Sequence, residues 1–478
     1  KMNLIARLKA LINRLLPRAS FVRSVGVLAG GTAAAQAIGV LALPVITRLY
    51  TPADFSVLAV YASILGIVAG VACLRLDIAI PLPERDEDAA NLLAVALLCS
   101  TAMALLAALS VWWFPEHIVN AAGQPGLRPF LWMIPLGIWL ASAYSAIQFW
   151  ATRKKRFTAI ARTRVGQTTG SSITKLAGGL LNALGPFGLL LGQLIGSGAG
   201  VFGLGRTAWR EDKQALQSIT WADMRRVFRA YDRFVKYSTF EAFANNGAIQ
   251  LPVIIIAAVA LGPEAGYLFL AMQAMAIPIG LIGGAVSQVY LSRAPDEYRA
   301  GQLGPFTLKA IAGLMRTGVG PLLFAGIVSP VAFPIVFGAD WQRAGEMVAW
   351  MTPWFILQFV SSPVSMSLHV TNNQRTALLL QLFGFVLRVG GAWLATLFLA
   401  GYVFEIYAAT GFIFYLTYLM VVAKITKIKV RELLFTALTR PQVSIAWAVI
   451  GVSIAGIMPF ISKAIASLCA LTPRSPFL

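Results

Sequence analysis

The chain has 478 residues, of which 58% are hydrophobic and only 12% charged, with a mean hydropathy of +0.74. Soluble domains carry about 25% charged residues, so a water-soluble enzyme is excluded and the chain reads as an integral membrane protein. Its 39 Lys and Arg against 19 Asp and Glu then point to cationic cytoplasmic loops, an anionic ligand or both, and not to nucleic acid.

In chain order, residues 1–20 place Leu4, Leu8, Leu11, Ile12 and Leu15 at helical spacing, opposite Arg7, Lys9, Asn13 and Arg14. That pattern suits an amphipathic helix lying in the interface; an irregular basic tail is the other reading. No continuous apolar stretch follows the basic start, so these residues are not read as a signal peptide. A bilayer core about 30 Å thick needs about 20 mostly apolar residues per helix. That ruler predicts twelve spans, near 25–47, 54–74, 90–113, 129–150, 158–181, 185–206, 237–261, 265–291, 307–336, 345–368, 376–399 and 402–423. A thirteenth, near 443–462, is left open because Pro459 and Lys463 stand at its end. With this layout 32 Lys and Arg fall on one side of the membrane and three, Arg48, Arg128 and Arg343, on the other. The rich side is cytoplasmic, with the amino terminus inside. Cys73, Cys99 and Cys469, with His117 and His369, give neither a disulfide framework nor metal-ligand spacing. No cofactor is expected, nor any phosphate loop of the Gly-x4-Gly-Lys-Ser/Thr type.

The longest polar link, 207–236, divides the chain into an amino-terminal lobe (21–206) and a carboxy-terminal lobe (237–425), leaving a basic, partly hydrophobic tail at 426–478. Within the link, Thr220 and Asp223 have capping-box spacing. Trp221, Met224, Phe228 and Tyr231 stand opposite Arg225, Arg226, Arg229 and Arg233, which predicts a surface helix. The short outer turns Thr51-Pro52-Ala53-Asp54-Phe55 and Gly262-Pro263-Glu264-Ala265-Gly266 occupy equivalent places in the two lobes, each with a proline opening the next helix. Six spans per lobe is an even number, so the lobes point the same way. The expected fold is all-α, two six-helix lobes related by a pseudo-twofold along the membrane normal, with a central site.

Several stretches carry a family resemblance. They are Ser24-Val25-Gly26-Val27-Leu28-Ala29-Gly30-Gly31-Thr32, Leu43-Pro44 with Thr47-Arg48-Leu49-Tyr50-Thr51-Pro52, and Leu74-Arg75-Leu76-Asp77-Ile78-Ala79-Ile80. Arg162-Thr163-Arg164-Val165 and Ile282-Gly283-Gly284-Ala285-Val286-Ser287-Gln288-Val289-Tyr290 complete the set. Over residues 22–425 the chain resembles the Wzx-type lipid-linked oligosaccharide flippases of the multidrug/oligosaccharidyl-lipid/polysaccharide (MOP) superfamily. The resemblance implies two lobes in a V. It also implies translocation of an undecaprenyl-diphosphate-linked glycan from the cytoplasmic to the periplasmic leaflet of a bacterial inner membrane, by alternating access. Glycan polymerase and chain-length machinery are the further partners it implies.

Ionisable residues inside spans cost about 2.5–3.5 kcal/mol and are expected to face protein or water. Arg164 and Lys175 share one span eleven residues apart, about 16 Å and close to three turns, hence one face. Arg388 lies twelve residues into the eleventh span and Arg316 about nine into the ninth. These four form the expected cationic cavity, since Arg grips phosphate oxygens bidentately and a diphosphate cannot cross hydrocarbon uncompensated. The bland readings are snorkelling for Arg164 and a structural pairing with Glu241 or a carbonyl for the deeper cations. Thr32 and Gln36 in the first span, with Ser238 and Asn245 in the seventh, are expected polar lining. Glu241 is the expected site of proton or sodium coupling. Arg75 and Asp77 at the cytoplasmic mouth read as a salt bridge. Gly26/Gly30, Gly66/Gly70, Gly196/Gly200 and Gly280/Gly284 read as packing pairs. Pro44, Pro135, Pro252, Pro278, Pro321 and Pro363 read as kinks. Two other functions compete: a drug or metabolite exporter of the same superfamily, which would want acids in its cavity, and a glycan polymerase or ligase. The longest outer link, 114–128, is short for an enzyme acting outside.

Overall fold

The computed structural model describes residues 20–181, 185–259, 262–371, 373–429, 431–433, 445–456 and 458. The expected interfacial helix at 1–20 lies outside these apart from its last residue. So does much of the expected span at 443–462, of which Ile445–Gly456 is a short apolar helix. Among the described residues every regular element is helical and there is no strand. The long helices are α1 (Ser20–Leu49), α2 (Pro52–Ala72), α3 (Asp86–Trp113), α4 (Met133–Arg153), α5 (Phe157–Leu180) and α6 (Phe187–Glu211). A surface helix α7 (Trp221–Ala230) follows, capped as its sequence predicts, Thr220 Oγ1 accepting from the Asp223 N–H. Then come α8 (Phe234–Val259), α9 (Glu264–Pro278), α10 (Gly284–Arg299), α11 (Leu303–Phe337), α12 (Gln342–Ser361), α13 (Gln374–Phe398) and α14 (Val403–Ile425).

Among the described residues eight helices are long and apolar enough to cross a membrane: α1, α2, α3, α6, α8, α11, α13 and α14. The protein is a multi-pass membrane protein. The other four expected spans are helical but fall short of that standard. In α5 the reason is plain, since Arg162, Arg164 and Lys175 join eight Ser, Thr and Gln within 24 residues. The eighth expected span is α9 and α10 joined by a π turn, Ile279–Gly283, and runs on to Arg299. The tenth stops at Ser361, because Pro363 opens a 3-10 turn in place of further α-helix. Three more π turns interrupt the ladder, at Phe234–Ser238, Met315–Val319 and Val386–Gly390. Pro44, Pro252 and Pro321 lie inside helices as expected, Pro321 just after the π turn Met315–Val319 of α11.

The described residues form two compact units. The first draws on the described residues within Lys1–Ala42, Ile64–Pro115 and Pro129–Phe243, the second on those within Leu43–Ser63, Glu116–Arg128 and Ala244–Leu478.

In the first unit, glycines set the helix spacing. A Cβ at Gly31 of α1 would stand 2.5 Å from the Ala161 Cβ of α5, and one at Gly198 of α6 would stand 2.3 Å from the Leu140 Cβ of α4. Gly196 lies on Ser171, and Gly200 on Thr163 and Tyr144. Of the expected packing pairs, Gly196/Gly200 therefore acts as one. Gly30 and Gly284 meet nothing within 4 Å, so those two are not contact glycines.

Where α3 begins and α4 and α6 end, ion pairs clasp the helix termini. Arg156 grips Asp212 bidentately (2.6 and 2.8 Å), and Trp150, fully buried, donates to the same carboxylate at 2.8 Å. Arg153 and Lys154 both reach Asp86, at 2.9 and 2.5 Å. Burial works to raise Asp212, but hydrogen bonds from Arg156 and Trp150 and the charges of Arg156 and Lys154 outweigh it and hold the carboxyl below its ordinary value. A depressed folded-state value adds stability that is complete above the unfolded value, about 3.9, and lost as the pH falls through the folded one. The stability gap between the wild type and Asp212→Asn is therefore expected to be constant above about pH 5 and to shrink below about pH 4. Thermal unfolding of detergent-solubilised protein across that range measures it.

In the second unit the two outer turns that looked equivalent in sequence meet. Thr51 Oγ1 donates to Asp54 Oδ2 (2.8 Å) and accepts from the Asp54 N–H (3.2 Å), capping α2. The Gly266 N–H donates to Ser56 Oγ at 2.8 Å, and a Cβ at Gly266 would fall 2.2 Å from the Pro52 carbonyl oxygen. Trp341, 1% exposed, plugs this junction: it donates to the Thr47 carbonyl at 3.0 Å and stands edge-on to Phe55 and Tyr267. Replacing it by alanine is expected to cost about 3–5 kcal/mol, read as a lowered unfolding temperature. Nearby, the Arg343 guanidinium serves three carboxylates, Glu264 (3.5 Å), Glu346 (3.3 Å) and Glu405 (3.3 Å).

Candidate functional site

The polar face of α5 is the centre of the first unit's candidate site. Because α5 runs without interruption from Phe157 to Leu180, the eleven-residue step from Arg164 to Lys175 keeps its meaning, and both cations lie near one face about 16 Å apart. Arg164 Nη1 donates to Thr32 Oγ1 of α1 at 2.8 Å, joining two residues that the sequence singled out separately. The Tyr144 hydroxyl of α4 lies within reach of the same guanidinium charge. Lys175 lays its stem across Gly192 of α6, where a Cβ would come within 2.4 Å of the Lys175 Cγ. A glycine there is what lets a long cation lie flat between two helices.

Further buried polar atoms occur on the same helices. Gln36 Oε1 on α1 and Gln167 Nε2 on α5 are buried with no hydrogen-bond partner among the described residues. Buried polar groups of this kind hold water or a hydroxyl-bearing ligand, because leaving them bare costs about 1–3 kcal/mol each. Gln167, one turn beyond Arg164, was legible from spacing; Tyr144 was not.

The expected Arg75–Asp77 salt bridge does not form. Leu74 and Arg75 both take left-handed backbone (φ 50° and 57°) just before Asp77. Asp77 is buried and accepts from Ser145 Oγ at 2.6 Å, while its Oδ1 and the Arg75 Nε have no partner among the described residues. The mouth is held by a carboxylate–hydroxyl contact in place of an ion pair. Glu241, just past the π turn Phe234–Ser238 that contains Ser238, is half-buried and makes no ion pair among the described residues; Asn245 follows one turn on and is also half-buried.

In the second unit the two arginines part company. Arg316 is exposed, on the π turn Met315–Val319, with no ion pair among the described residues. Arg388, on the π turn Val386–Gly390, is 1% exposed and enclosed. Its guanidinium carbon sits 4.3 Å from the Phe414 ring centroid, and its Nε donates to the Gly384 carbonyl at 3.1 Å. The expectation of an open, water-facing Arg388 is corrected by this packing: an aromatic face and a carbonyl replace water around the charge. Its Nη1 remains without a partner among the described residues. No cluster of His, Cys, Asp and Glu fit for a metal occurs among the described residues.

Residues 45–346 match the family described as polysaccharide biosynthesis protein. The chain belongs to this family. Comparison with curated proteins finds no match. Among solved structures, the lipid II flippase MurJ in an inward closed conformation is similar over 91% of this chain and 99% of its own, with a TM-score of 0.64 at 15% identity. A MOP-superfamily transporter of Pyrococcus furiosus, whose binding pocket is described as having reverse polarity, is similar over 84% and 95%, with a TM-score of 0.53 at 13% identity. An outward-facing multidrug-resistance transporter of the MATE family gives 0.51 at 11% identity, over 85% and 96%. The polysaccharide biosynthesis family member described here thus has the MOP fold, the fold class expected from its spans.

Proposed function

We propose that this protein flips an undecaprenyl-diphosphate-linked oligosaccharide across a bacterial cytoplasmic membrane by alternating access, from the cytoplasmic to the periplasmic leaflet, in the making of O-antigen, capsule or exopolysaccharide. It moves its substrate and breaks no bond. The observation that carries the reading is the pair Arg164 and Lys175 on one face of a helix otherwise lined by Ser, Thr and Gln. A diphosphate brings about two negative charges that hydrocarbon rejects. Fixed cations replace its water, and hydroxyl and amide groups such as Thr32, Gln36 and Gln167 match sugar hydroxyls. Family membership supports the same substrate class, and so does the printed role of MurJ as a lipid II flippase. The Lys and Arg asymmetry supports a cytoplasmic amino terminus. Glu241, in a span and without an ion pair among the described residues, is the acid through which a proton or sodium gradient drives the cycle. A polymerase and its chain-length machinery take the glycan on the far side.

The test is reconstitution in liposomes with a labelled lipid-linked oligosaccharide, scoring its exposure to an impermeant glycosidase. Exposure that depends on the protein is expected, accelerated by the gradient that Glu241 senses and indifferent to it in Glu241→Gln. Exposure equal to that of protein-free liposomes overturns the reading. Gly192→Leu pushes the Lys175 stem aside and is expected to slow export roughly 10- to 100-fold. Gly203→Ala, at a position with nothing within 4 Å, is expected to leave export unchanged in the same assay.

A further inference from the structure

The surface helix α7 does more than link two parts of the chain. It is moored to the first turns of α3: Arg226 donates to Asp88 at 2.5 Å, and the Thr220 N–H donates to Asn91 Oδ1 at 3.1 Å. From Asn91 the same face of α3 continues at three- and four-residue steps through Val95, Leu98 and Cys99, descending about 12 Å into the apolar zone. Trp221, Met224 and Phe228 of α7 lie over that face without filling it. Between the two helices remains a groove of about 440 Å³, apolar along its length. Trp221 is 74% exposed and Leu98 51%.

The charge lies at one edge. Arg225 lines the groove, and Arg229 follows one turn on. Both are exposed, and neither has a carboxylate partner among the described residues, whereas Arg226 between them is taken by Asp88 and Asp223. A slot of hydrocarbon character that ends at two uncommitted guanidinium groups, at the level where a membrane helix meets its polar end, has the profile of a phospholipid: chain below, phosphate above. The aromatic edge of Trp221 suits the same interfacial depth.

We propose that this groove is a binding site for an anionic phospholipid of the surrounding leaflet, with one acyl chain between α3 and α7 and the phosphate on Arg225 and Arg229. The bound lipid staples α7 to α3 beside the protein's own Arg226–Asp88 mooring. A zwitterionic lipid offers the same chain but carries a cation next to its phosphate, so the arginines select against it. The site lies apart from the α5 face, and its occupancy is measurable without any glycan.

The test uses liposomes in which part of the phosphatidylglycerol or, separately, of the phosphatidylcholine carries brominated chains. Trp221 emission is isolated as the difference between the wild type and Trp221→Phe. Brominated phosphatidylglycerol is expected to quench this component at lower mole fraction than brominated phosphatidylcholine. The selectivity is expected to fall about fivefold for each of Arg225→Gln and Arg229→Gln, and to persist in Arg225→Lys. Both positions are exposed on the helix, so the variants fold; circular dichroism and gel-filtration profiles like those of the wild type verify it. Equal quenching by the two lipids, or selectivity unchanged in the double glutamine variant, overturns the proposal. Quenching that is relieved by polyprenyl diphosphate but not by unbrominated phosphatidylglycerol also overturns it, since the groove would then hold the transported lipid's tail. Absence of quenching by either lipid would mean that protein closes the groove, and overturns it too.

Discussion

Alanine in place of Lys175 is expected to cut glycan export roughly 100-fold at unchanged protein abundance. Truncating one partner of a desolvated charge pair costs about 2–5 kcal/mol, and tenfold corresponds to about 1.4 kcal/mol. The Lys175 stem also packs on Gly192, so normalising export to protein in the membrane fraction separates this loss from any loss of folded protein. Lys175→Arg keeps the charge and is expected to retain most export; Lys175→Gln keeps the length without the charge and is expected to fail. Export in cells, scored as surface polysaccharide and normalised to protein in the membrane fraction, separates these variants. Arg164→Ala is expected to lose less than Lys175→Ala alone, since part of the Arg164 guanidinium's hydrogen bonding is already spent on Thr32. Full export from Lys175→Ala would remove the cationic site.

At Arg388 the largest effect is expected on stability, and its sign depends on the replacement. Breaking the contacts of an enclosed arginine by alanine leaves a large void beside Phe414 and a Gly384 carbonyl without its donor, a cost of about 3–5 kcal/mol. Methionine fills most of the same volume and removes the charge, and such exchanges of buried charge for apolar bulk are often neutral or stabilising. Arg388→Ala is therefore expected to lower the unfolding temperature, and Arg388→Met to leave it unchanged or raise it. Export by the methionine variant then separates two roles. Normal export makes Arg388 a packing residue of α13 on α14; export lost at full stability returns it to the cationic set with Lys175.

How much of this was legible beforehand depended on the range of the interaction. Helices declare themselves through local hydropathy, so eight of the twelve expected spans are helices long and apolar enough to cross a membrane, and the polar link and the Thr220 cap lie where residue spacing puts them. The pairing of Thr32 with Arg164 joins residues 132 apart in sequence; nothing local announces it, though each residue was conspicuous as a polar group inside a span. Arg153, Lys154 and Arg156 looked like free cytoplasmic charge, yet Asp86 and Asp212, 67 and 56 residues away from Arg153 and Arg156, hold them. Counting cations by loop predicts orientation and says nothing of partners. Arg75 and Asp77 failed for the opposite reason: nearness along the chain suggested a bond, but the chain turns left-handed at Arg75 and Asp77 accepts from Ser145 instead. Arg388 was rightly placed deep, but depth along a helix does not tell whether a side chain meets water or an aromatic ring.

The π turns at Met315–Val319 and Val386–Gly390 have a consequence for reading this family's sequences. Each fits one more residue into its hydrogen-bonded ring than an α turn does, and one residue corresponds to about 100° of rotation. A wheel drawn through Leu303–Phe337 or Gln374–Phe398 at constant pitch therefore misassigns every position beyond the bulge, including the face shown by Ser329. Homologues whose corresponding helices wind without interruption should align to this chain only with a one-residue gap inside those two pentapeptides.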